Sequence, residues 1–422
     1  MLGLAATLTL AIAVGLGALV AVRDQGKDVR GSSTDEFDVS DIPDPVAPRP
    51  APAPPGEPAA NTVVSWPTYG FGQERVRISP YEHRPPFERR WMFRGRDLLE
   101  FPPSIAYGRL YVSNIDGITW AVDTETGRAV WRAGTGHCTA STPAVADGLV
   151  VQAFLNPPPC NSSRSPFDLE GAVIAFDAKT GKRRWRVVLG PSESSPLVVG
   201  RRVLVGDWRG DVVALDLRTG RRLWAYRTGG RVKGAVSVSG QTAFAGSYDG
   251  RLVALDLRTG ALRWRSSSLS RLGGRGRFYS TPAVAYGRVY IGSTDGKVYA
   301  FGASSGRLLW ATSTGGYVYS SPAVWNKTVY AGSYANRLVA LDAATGATRW
   351  TFAANGPVSG SPTVMAGLVW FATLRGRTYV VDGRAGRLVW TFPDGEYTPV
   401  VADAERVYLV GHTRIYALDP RR

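Results

Sequence analysis

Hydrophobic and polar positions alternate in short runs along most of the chain, and the runs recur at a regular interval. The stretch Gly240–Trp264 reads GQTAFAGSYDGRLVALDLRTGALRW, in which two β-branched and aromatic runs flank an Asp-Gly turn. A Thr-Gly turn and a tryptophan follow. Related stretches occur at Gly287–Trp310 and Lys327–Trp350. Short apolar runs bounded by Asp and Gly predict β-strands joined by tight hairpin turns.

These runs form a larger repeat with a period of about 40 residues, which is typical of β-propeller blades. In the unit that ends near Trp310, the pattern predicts strands A, B, C and D at Thr281–Ala285, Arg288–Gly292, Lys297–Phe301 and Arg307–Ala311. A tryptophan in strand D marks every unit. These tryptophans are Trp91, Trp131, Trp185, Trp224, Trp264, Trp310, Trp350 and Trp390.

The first and last units of the repeat region are incomplete in complementary ways. Strand C occurs eight times, and no strand D follows the eighth copy, which ends at Asp419. The run Phe87–Arg94 has the pattern of a strand D without its own strands A, B and C. We therefore predict an all-β, eight-bladed propeller with four-stranded blades over residues 61–422. The N-terminal strand would complete the last blade and remove free sheet edges.

The first 60 residues lack this pattern. Met1–Val22 is uncharged and apolar, and a helix of this length can cross a hydrocarbon core about 30 Å thick. We interpret it as a transmembrane anchor or a signal peptide. Residues 23–60 are acidic and then proline-rich, which predicts a disordered linker.

The charges after the apolar run bear on the orientation of the chain. Arg23, Lys27 and Arg30 would place the propeller in the cytoplasm by the positive-inside rule. Asp24 and Asp28 lie between them and weaken that signal. We therefore expect a single-pass, membrane-anchored protein whose propeller lies on the extracytoplasmic side.

An aspartate ends strand C in seven of the eight copies, and in most of them it leads into the sequence x-x-[TS]-G. Such an aspartate can cap the following turn through its side chain. Repetition around a ring favours a structural role over a catalytic or metal-binding one, and each tryptophan is likewise expected to pack between blades. The aspartates are Asp123, Asp177, Asp216, Asp256, Asp342, Asp382 and Asp419.

The unit [VY]-A-[LF]-D-x-x-[TS]-G-x-x-x-W resembles the tryptophan-docking motif of the quinoprotein-type, or PQQ-like, eight-bladed propellers. The resemblance covers about residues 66–420, and the lead-in WPTYGFGQERVRISP is similar to the opening of such proteins. Among them, the non-enzymatic outer-membrane assembly factors of the BamB family match best. This resemblance implies a scaffold without a cofactor that binds a protein partner in the cell envelope.

The quinoprotein dehydrogenases, which share this fold, provide an enzymatic alternative. That resemblance would imply PQQ, a calcium ion, a catalytic aspartate and a pair of adjacent cysteines. The two cysteines of this chain are not adjacent, and no acidic set stands out from the repeat. His83, His137 and His412 form no evident Ser-His-Asp arrangement. The sequence therefore predicts no catalytic residue and no metal site.

Three segments depart from the repeat, and all of them connect strand D to strand A or strand B to strand C. Because strands alternate in direction within a blade, these connections lie on one face of the ring. The segments are Asn156–Glu170, Ala133–Ala140 and Ser266–Phe278. Cys138 and Cys160 lie in two of them, on the same blade, which favours a disulfide and an oxidising compartment over two free thiols.

Basic residues concentrate in one sector of the propeller. Residues 61–422 contain 46 basic and 26 acidic side chains, and 16 of the basic ones fall within residues 201–277. On the face with the departures, this excess predicts a site for an anion or an acidic partner. The alternative is a solvated basic surface. The candidate residues are Arg231, Lys233, Arg271, Arg275 and Arg277.

The same charge supports a third functional hypothesis. A sensor ectodomain could bind an anionic envelope polymer or an anionic lipid surface through this sector. No specific nucleic-acid partner is expected. The protein is expected to be a monomer.

Overall fold

The computed structural model describes residues 27–40, 63–160, 164–271, 274–397 and 400–421, and the regular elements within these ranges are all β-strands. Eight antiparallel sheets, each with four blade strands, form the predicted all-β propeller. The predicted anchor Met1–Val22 lies outside the described residues. Within them, no helix is long and apolar enough to cross a bilayer.

Blades one to four follow the chain in the order A, B, C, D. Their strands are Ser104–Ala106, Arg109–Ser113, Ile118–Asp123 and Ala129–Gly134; Ala144–Ala146, Leu149–Phe154, Gly171–Asp177 and Arg183–Leu189; Leu197–Val199, Arg202–Gly206, Asp211–Asp216 and Arg222–Arg227; Ser237–Ser239, Thr242–Gly246, Arg251–Asp256 and Leu262–Ser267. Val64–Trp66 adds a fifth, innermost strand to blade one.

Blades five to eight repeat this order. Their strands are Ala283–Ala285, Arg288–Gly292, Lys297–Gly302 and Leu308–Ser313; Ala323–Trp325, Thr328–Ser333, Arg337–Asp342 and Thr348–Ala353; Thr363–Met365, Leu368–Thr373, Arg377–Asp382 and Leu388–Phe392; Val400–Ala402, Val407–Val410 and Arg414–Pro420, with Phe87–Arg94 as the last strand D. A small hairpin, Ser270–Arg271 with Gly274–Arg275, precedes blade five.

The ring closes as predicted. Phe87–Arg94 pairs antiparallel with Arg414–Pro420, so that Trp91 lies opposite Ala417. Trp264 lies opposite Ala254 in the same way within blade four. The N-terminal strand therefore occupies the position and register of an ordinary strand D.

One contact recurs between neighbouring blades: in seven of the eight blades, the strand D tryptophan docks on the C–D turn of the next blade. Its indole Nε1 donates a hydrogen bond of 2.8–3.2 Å to the carbonyl oxygen of the residue that follows strand C there. The pairs are Trp91–Thr124, Trp131–Ala178, Trp185–Leu217, Trp224–Leu257, Trp264–Ala303, Trp310–Ala343 and Trp350–Gly383.

The same turns place a glycine directly under the tryptophan ring. These glycines have φ between 68° and 74°, and an added Cβ would lie 2.6–2.9 Å from the ring. Both the left-handed backbone and the close approach require glycine. The residues are Gly127, Gly181, Gly220, Gly260, Gly306, Gly346 and Gly386.

The predicted aspartate caps are present in six blades. In blade four, Asp256 Oδ1 accepts hydrogen bonds from the amide and the hydroxyl of Thr259, both at 2.9 Å. Asp419 does not cap a turn, which corrects the prediction for this residue. It is followed by Pro420 instead of the turn sequence, and its Oδ1 lies 3.0 Å from Nε of Arg406.

Trp390 also differs from the other tryptophans. Strands C and D of blade eight come from distant parts of the chain, so no C–D turn is available for docking. Trp390 packs instead against Phe87 and Trp370, with ring centroids 5.5 and 5.8 Å away. Trp390 therefore still packs between blades, but through ring contacts and without the hydrogen bond to a C–D turn.

Residues 63–81, here called the lead-in segment, run around the inside of the ring. In blade three, the buried guanidinium of Arg75 donates to the carbonyl oxygens of Ser195 and Pro196. In five other blades, the central amide of strand A donates to a lead-in carbonyl oxygen at 2.8–3.0 Å, so the segment pairs inner edges that the blades leave open. The pairs are Val145–Pro67, Val238–Gln73, Val284–Glu74, Val324–Val76 and Val364–Arg77.

Residues 27–40 lie against the outer rim of blades five and six. Val29 and Ala311 exchange two backbone hydrogen bonds of 2.9 Å, and Asp28 forms a salt bridge of 2.8 Å with Lys297. This part of the predicted linker over residues 23–60 thus contacts specific buried cations, a pairing that composition does not reveal. The rest of the predicted linker lies outside the described residues.

The glycine requirement can be tested with two matched substitutions. Gly260→Ala introduces both left-handed strain and a clash with Trp224, whose ring lies 2.6 Å from the added Cβ. We expect it to lower the free energy of unfolding by about 2–4 kcal/mol. Gly376→Ala has the same positive φ with no atom within 4 Å of the added Cβ, so about 1 kcal/mol is expected. Equal losses in urea titrations would contradict the docking role.

Candidate functional site

A cavity of about 50 Å³ lies where the connections between strands D and A converge on the propeller axis. Seven of the eight blades contribute residues through these connections, and blade two does not. Tyr69 of the lead-in segment lines the cavity as well. The lining includes the ionisable and aromatic side chains of Tyr69, Glu100, Glu193, Lys233, Tyr279 and Tyr319.

Glu193 organises one wall of this cavity. Its Oε1 accepts a 2.7 Å salt bridge from Lys233 and a 2.8 Å hydrogen bond from the indole of Trp208. Its Oε2 accepts a 3.0 Å hydrogen bond from the hydroxyl of Tyr279. Trp208 lies in a B–C turn and the other three lie in D–A connections, which confirms the prediction that these connections share one face.

Five tyrosines extend from this wall as a continuous aromatic surface, here called the tyrosine mouth. Their neighbouring ring centroids are 4.9–6.4 Å apart, mostly in edge-to-face or tilted arrangements. Tyr317 is the most exposed member, with 53% of its surface accessible. The five residues are Tyr248, Tyr279, Tyr317, Tyr319 and Tyr334.

Three of the predicted basic residues border the tyrosine mouth. The ammonium of Lys233 and the guanidinium of Arg231 lie 4.4 and 5.0 Å from the ring centroid of Trp208. The guanidinium of Arg277 lies 5.6 Å from the ring centroid of Tyr248. Such distances allow cation–π attraction, so these cations are held in place by aromatic rings.

The other two predicted basic residues belong to the hairpin before blade five. Arg275 is exposed, and the side chain of Arg271 lies outside the described part of the structure. Of the five predicted basic residues, Arg231, Lys233 and Arg277 therefore lie at the tyrosine mouth.

The structure contains the predicted disulfide between Cys138 and Cys160, whose Cα atoms are 5.5 Å apart. It joins the connection before blade two to the B–C insertion of that blade. Cys138 is buried in a small apolar cluster with Leu155 and Trp208. The cross-link therefore stabilises the packing behind the indole on which Lys233 rests.

Burial shifts the ionisation of two groups in the cavity. It raises the pKa of Glu100 to about 7, and the negative charge of Glu193 adds to the shift while Lys233 opposes it. Burial and the same carboxylate also raise the pKa of Tyr279 well above its usual value, so its phenol stays neutral. The cavity thus contains a glutamate that forms a salt bridge with Lys233 and a carboxyl group, that of Glu100, whose pKa is about 7.

These residues do not fit the calcium-bound quinone of the dehydrogenases that share this fold. A cavity of about 50 Å³ is comparable in size to one or two water molecules. Glu193 is already engaged by three donors, and burial raises the pKa of its neighbour Glu100 to about 7, which weakens it as a metal ligand near neutral pH. Among the described residues, no three His, Cys, Asp or Glu side chains converge as metal ligands.

Sequence reasoning missed the tyrosine mouth and both carboxyl groups. A weak signal existed, because Tyr279 and Tyr319 each stand three residues before the proline that opens strand A. In several blades that position lines the axial cavity, so its side chains meet there although they are about 40 residues apart in sequence. Glu100 and Glu193 occupy the same position, three residues before Pro103 and Pro196, but the residue type there varies from blade to blade.

The fold is similar to two kinds of solved structure. BamB from Moraxella catarrhalis aligns with a TM-score of 0.63 and 20% identity, covering 80% of this chain and 99% of that one. Quinohemoprotein alcohol dehydrogenase from Comamonas testosteroni aligns with a TM-score of 0.69 and 16% identity, covering 86% and 82%. Identities this low establish the fold alone.

Sequence similarity to characterised enzymes is confined to segments. Quinohemoprotein alcohol dehydrogenase ADH-IIG from Pseudomonas putida is 29% identical over 109 residues, which cover 24% of this chain and 14% of the enzyme. Polyvinylalcohol dehydrogenase from Sphingopyxis sp. (strain 113P3) is 25% identical over 182 residues, covering 42% and 27%. The chain thus matches only about a seventh to a quarter of the length of these enzymes.

A family model matches far more of the chain. The model is described as outer membrane protein assembly factor BamB, and it matches residues 88–239, 227–318, 248–357 and 294–422. Together these ranges include every blade from the closing strand Phe87–Arg94 onward. The protein belongs to this family of eight-bladed propellers.

Proposed function

We propose that this protein is a non-enzymatic, membrane-tethered scaffold of the cell envelope that binds a protein partner through the tyrosine mouth. The observation that carries the proposal is the aromatic surface bordered by Arg231, Lys233 and Arg277. Tyrosine, tryptophan and arginine are the residues that dominate the energetics of protein interfaces. Tyr317 and its neighbours offer large contact areas on side chains that lose little entropy on binding.

Charge indicates the kind of partner. The propeller carries an excess of 20 basic side chains, and three of them surround the mouth in fixed positions. Lys233 is neutralised by Glu193, whereas Arg231 and Arg277 form no salt bridge with a carboxylate of the described residues. The mouth therefore suits an acidic segment with one or two apolar side chains, and electrostatic steering would speed its association.

Two features support an extracytoplasmic compartment for the propeller. A disulfide such as Cys138–Cys160 persists in oxidising compartments and is rare in the cytosol. The apolar run Met1–Val22 has the length of a membrane span. Both features support our proposal that the propeller lies on the extracytoplasmic side of a membrane, and so does the description of the matching family as an outer membrane protein assembly factor.

Site-specific photo-crosslinking tests the binding face. A photoreactive phenylalanine at Tyr317 should crosslink one envelope protein in native cells. The same probe at Val389, which is 47% exposed on the outer strand of blade seven, should not. Mass spectrometry of the adducts identifies the partner. Equal crosslinking from both positions would contradict a dedicated mouth.

Affinity for that partner provides the quantitative test. Tyr317→Ala and Arg277→Ala should each weaken binding at least about tenfold by calorimetry, as expected for interface hot spots. Val389→Ala should leave the affinity unchanged. If added PQQ and Ca²⁺ instead produced a coloured holoprotein that oxidises alcohols, the protein would be a dehydrogenase. Binding to envelope polyanions that disappears at high salt would favour the sensor hypothesis.

The carboxyl of Glu100 tests the electrostatics of the cavity without any partner. Burial raises the pKa of Glu100 to about 7, so the folded protein binds this proton more tightly than the unfolded chain does. The free energy of unfolding that this proton contributes is therefore lost as pH rises through 7. Between pH 5 and pH 8.5, the wild type should lose about 1–3 kcal/mol of unfolding free energy relative to Glu100→Gln. Glu405→Gln, on an exposed turn, is the control. A pH-independent difference in urea titrations would refute the shift.

A further inference from the structure

The segment that docks on blades five and six is rich in acidic residues, and it contacts the only strand C that lacks the repeated aspartate. This segment, residues 28–38, is here called the acidic strap. The blade-five strand ends in Gly302 where other blades have aspartate. The coincidence of an acidic docking segment with a missing carboxylate suggests that the two are related.

A carboxylate at this position has a defined task in the other blades. In blade four, Asp256 Oδ1 accepts from the amide of Arg258 and from the amide and hydroxyl of Thr259, at 2.9–3.1 Å. The same three bonds occur at Asp123 and Asp342. They shape the C–D turn onto which the preceding tryptophan docks.

In blade five, the strap supplies a carboxylate to the hydroxyl of the corresponding turn. Glu36 Oε1 and Oε2 accept hydrogen bonds from the hydroxyl of Ser305, at 2.7 and 2.9 Å. Ser305 occupies the turn position that threonine holds in blade four, and its Oγ in turn accepts from the amide of Arg307 at 3.0 Å. A Cβ added to Gly302 would overlap Glu36 Oε2. A side chain at 302 and Glu36 in this position are therefore mutually exclusive.

Two cationic side chains of blade five, Arg288 and Lys297, also bind the strap. The buried guanidinium of Arg288 donates to the strap carbonyl oxygens of Ser32, at 2.8 Å, and of Glu36, at 2.9 Å. Lys297, with 1% of its side chain exposed, forms the 2.8 Å salt bridge with Asp28. Buried charges are costly without such partners, so this rim is built around an occupant that offers carboxylates and carbonyl oxygens.

The backbone of the strap also forms hydrogen bonds with blade five. The reciprocal pair Val29–Ala311 extends the outer strand of blade five by one antiparallel bridge. The ring of Phe37 packs on Tyr286, with centroids 5.1 Å apart, and lies 4.9 Å from the guanidinium of Arg288. Main-chain pairing combined with side-chain pockets is the way in which extended peptides bind to sheet edges.

We propose that the rim of blade five is a binding site for an acidic, extended peptide, that the acidic strap fills it in the free protein, and that Glu36 determines its specificity by replacing the aspartate absent at position 302. The site is separate from the tyrosine mouth and does not depend on the function proposed for it.

The test uses the full chain and a fluorescein-labelled synthetic peptide of residues 27–40. In the wild type, the strap competes with the peptide. Glu36→Gln weakens the strap by one charge-assisted interaction, so the variant should bind the peptide about tenfold more tightly than the wild type. Glu36→Gln combined with Gly302→Asp should lose that binding about tenfold or more, because the aspartate fills the pocket. The same peptide with Gln at position 36 should bind about tenfold more weakly.

Hydrogen exchange of the unliganded proteins gives an independent readout. The amides of Val29 and Gly31, which donate to Ala311 and Thr345, should exchange about tenfold faster in Gly302→Asp than in the wild type. Glu405→Gln should leave them unchanged. Aspartate is the ordinary residue at this position of the repeat, so the variant retains the fold, which circular dichroism verifies. Equal binding by the two peptides, no gain in Glu36→Gln, or unchanged exchange in Gly302→Asp would each overturn the proposal.

Discussion

The docking of each tryptophan on the next blade is the contact on which the ring depends. A single blade cannot bury its hydrophobic faces by itself, and stacking against its neighbours creates the continuous core. In the ring, Trp310 places its ring on Gly346 and donates its indole proton to Ala343 of the neighbouring blade. The contact joins aromatic burial to a satisfied donor, and it explains why glycine and aspartate recur at the same turn: one makes room for the ring and the other shapes the turn.

Closure imposes a second constraint, because a ring of outward-radiating sheets leaves its innermost strands unpaired around the axis. The lead-in segment pairs with these edges, and Arg75 fastens it to blade three. Burial and the neighbouring Arg77 lower the pKa of Arg75 to about 9, which shows how fully this cation is withdrawn from water. Because the lead-in segment occupies the axis, the remaining cavity is small and lies toward the D–A connections, where Tyr69 meets Tyr279 and Tyr319.

The repeat made much of the fold predictable from sequence. Strand B of blade five, Arg288–Gly292, has its predicted bounds, and the closing strand Phe87–Arg94 pairs as expected. The disulfide followed from placing Cys138 and Cys160 on one face of one blade. The tyrosine mouth was not predictable in the same way, since its rings lie in separate repeats and become neighbours only when the ring closes. Arg231, Lys233 and Arg277 were found from charge, but their aromatic partners were not.

The acidic strap shows why composition misled. Residues 27–40 are polar and rich in charge, which is typical of disorder. Three acidic side chains among them nevertheless pair with cations of the rim, which contains Arg288, Lys297 and Arg307. The sequence contained one indication of this docking: Gly302 occupies the position that is aspartate in the other strands C.

Departures of this kind are informative because the inter-blade contact is otherwise uniform. At blade eight, the absence of a C–D turn leaves Trp390 to pack on Phe87 of the closing strand. At blade five, the absence of a carboxylate leaves a pocket that Glu36 fills. In both cases, a segment from outside the regular repeat supplies what one unit lacks. A ring that must close with every interface formed thus creates specific docking sites for its own non-repetitive segments. The closing strand cannot leave its site without opening the ring, whereas the segment on the rim of blade five can.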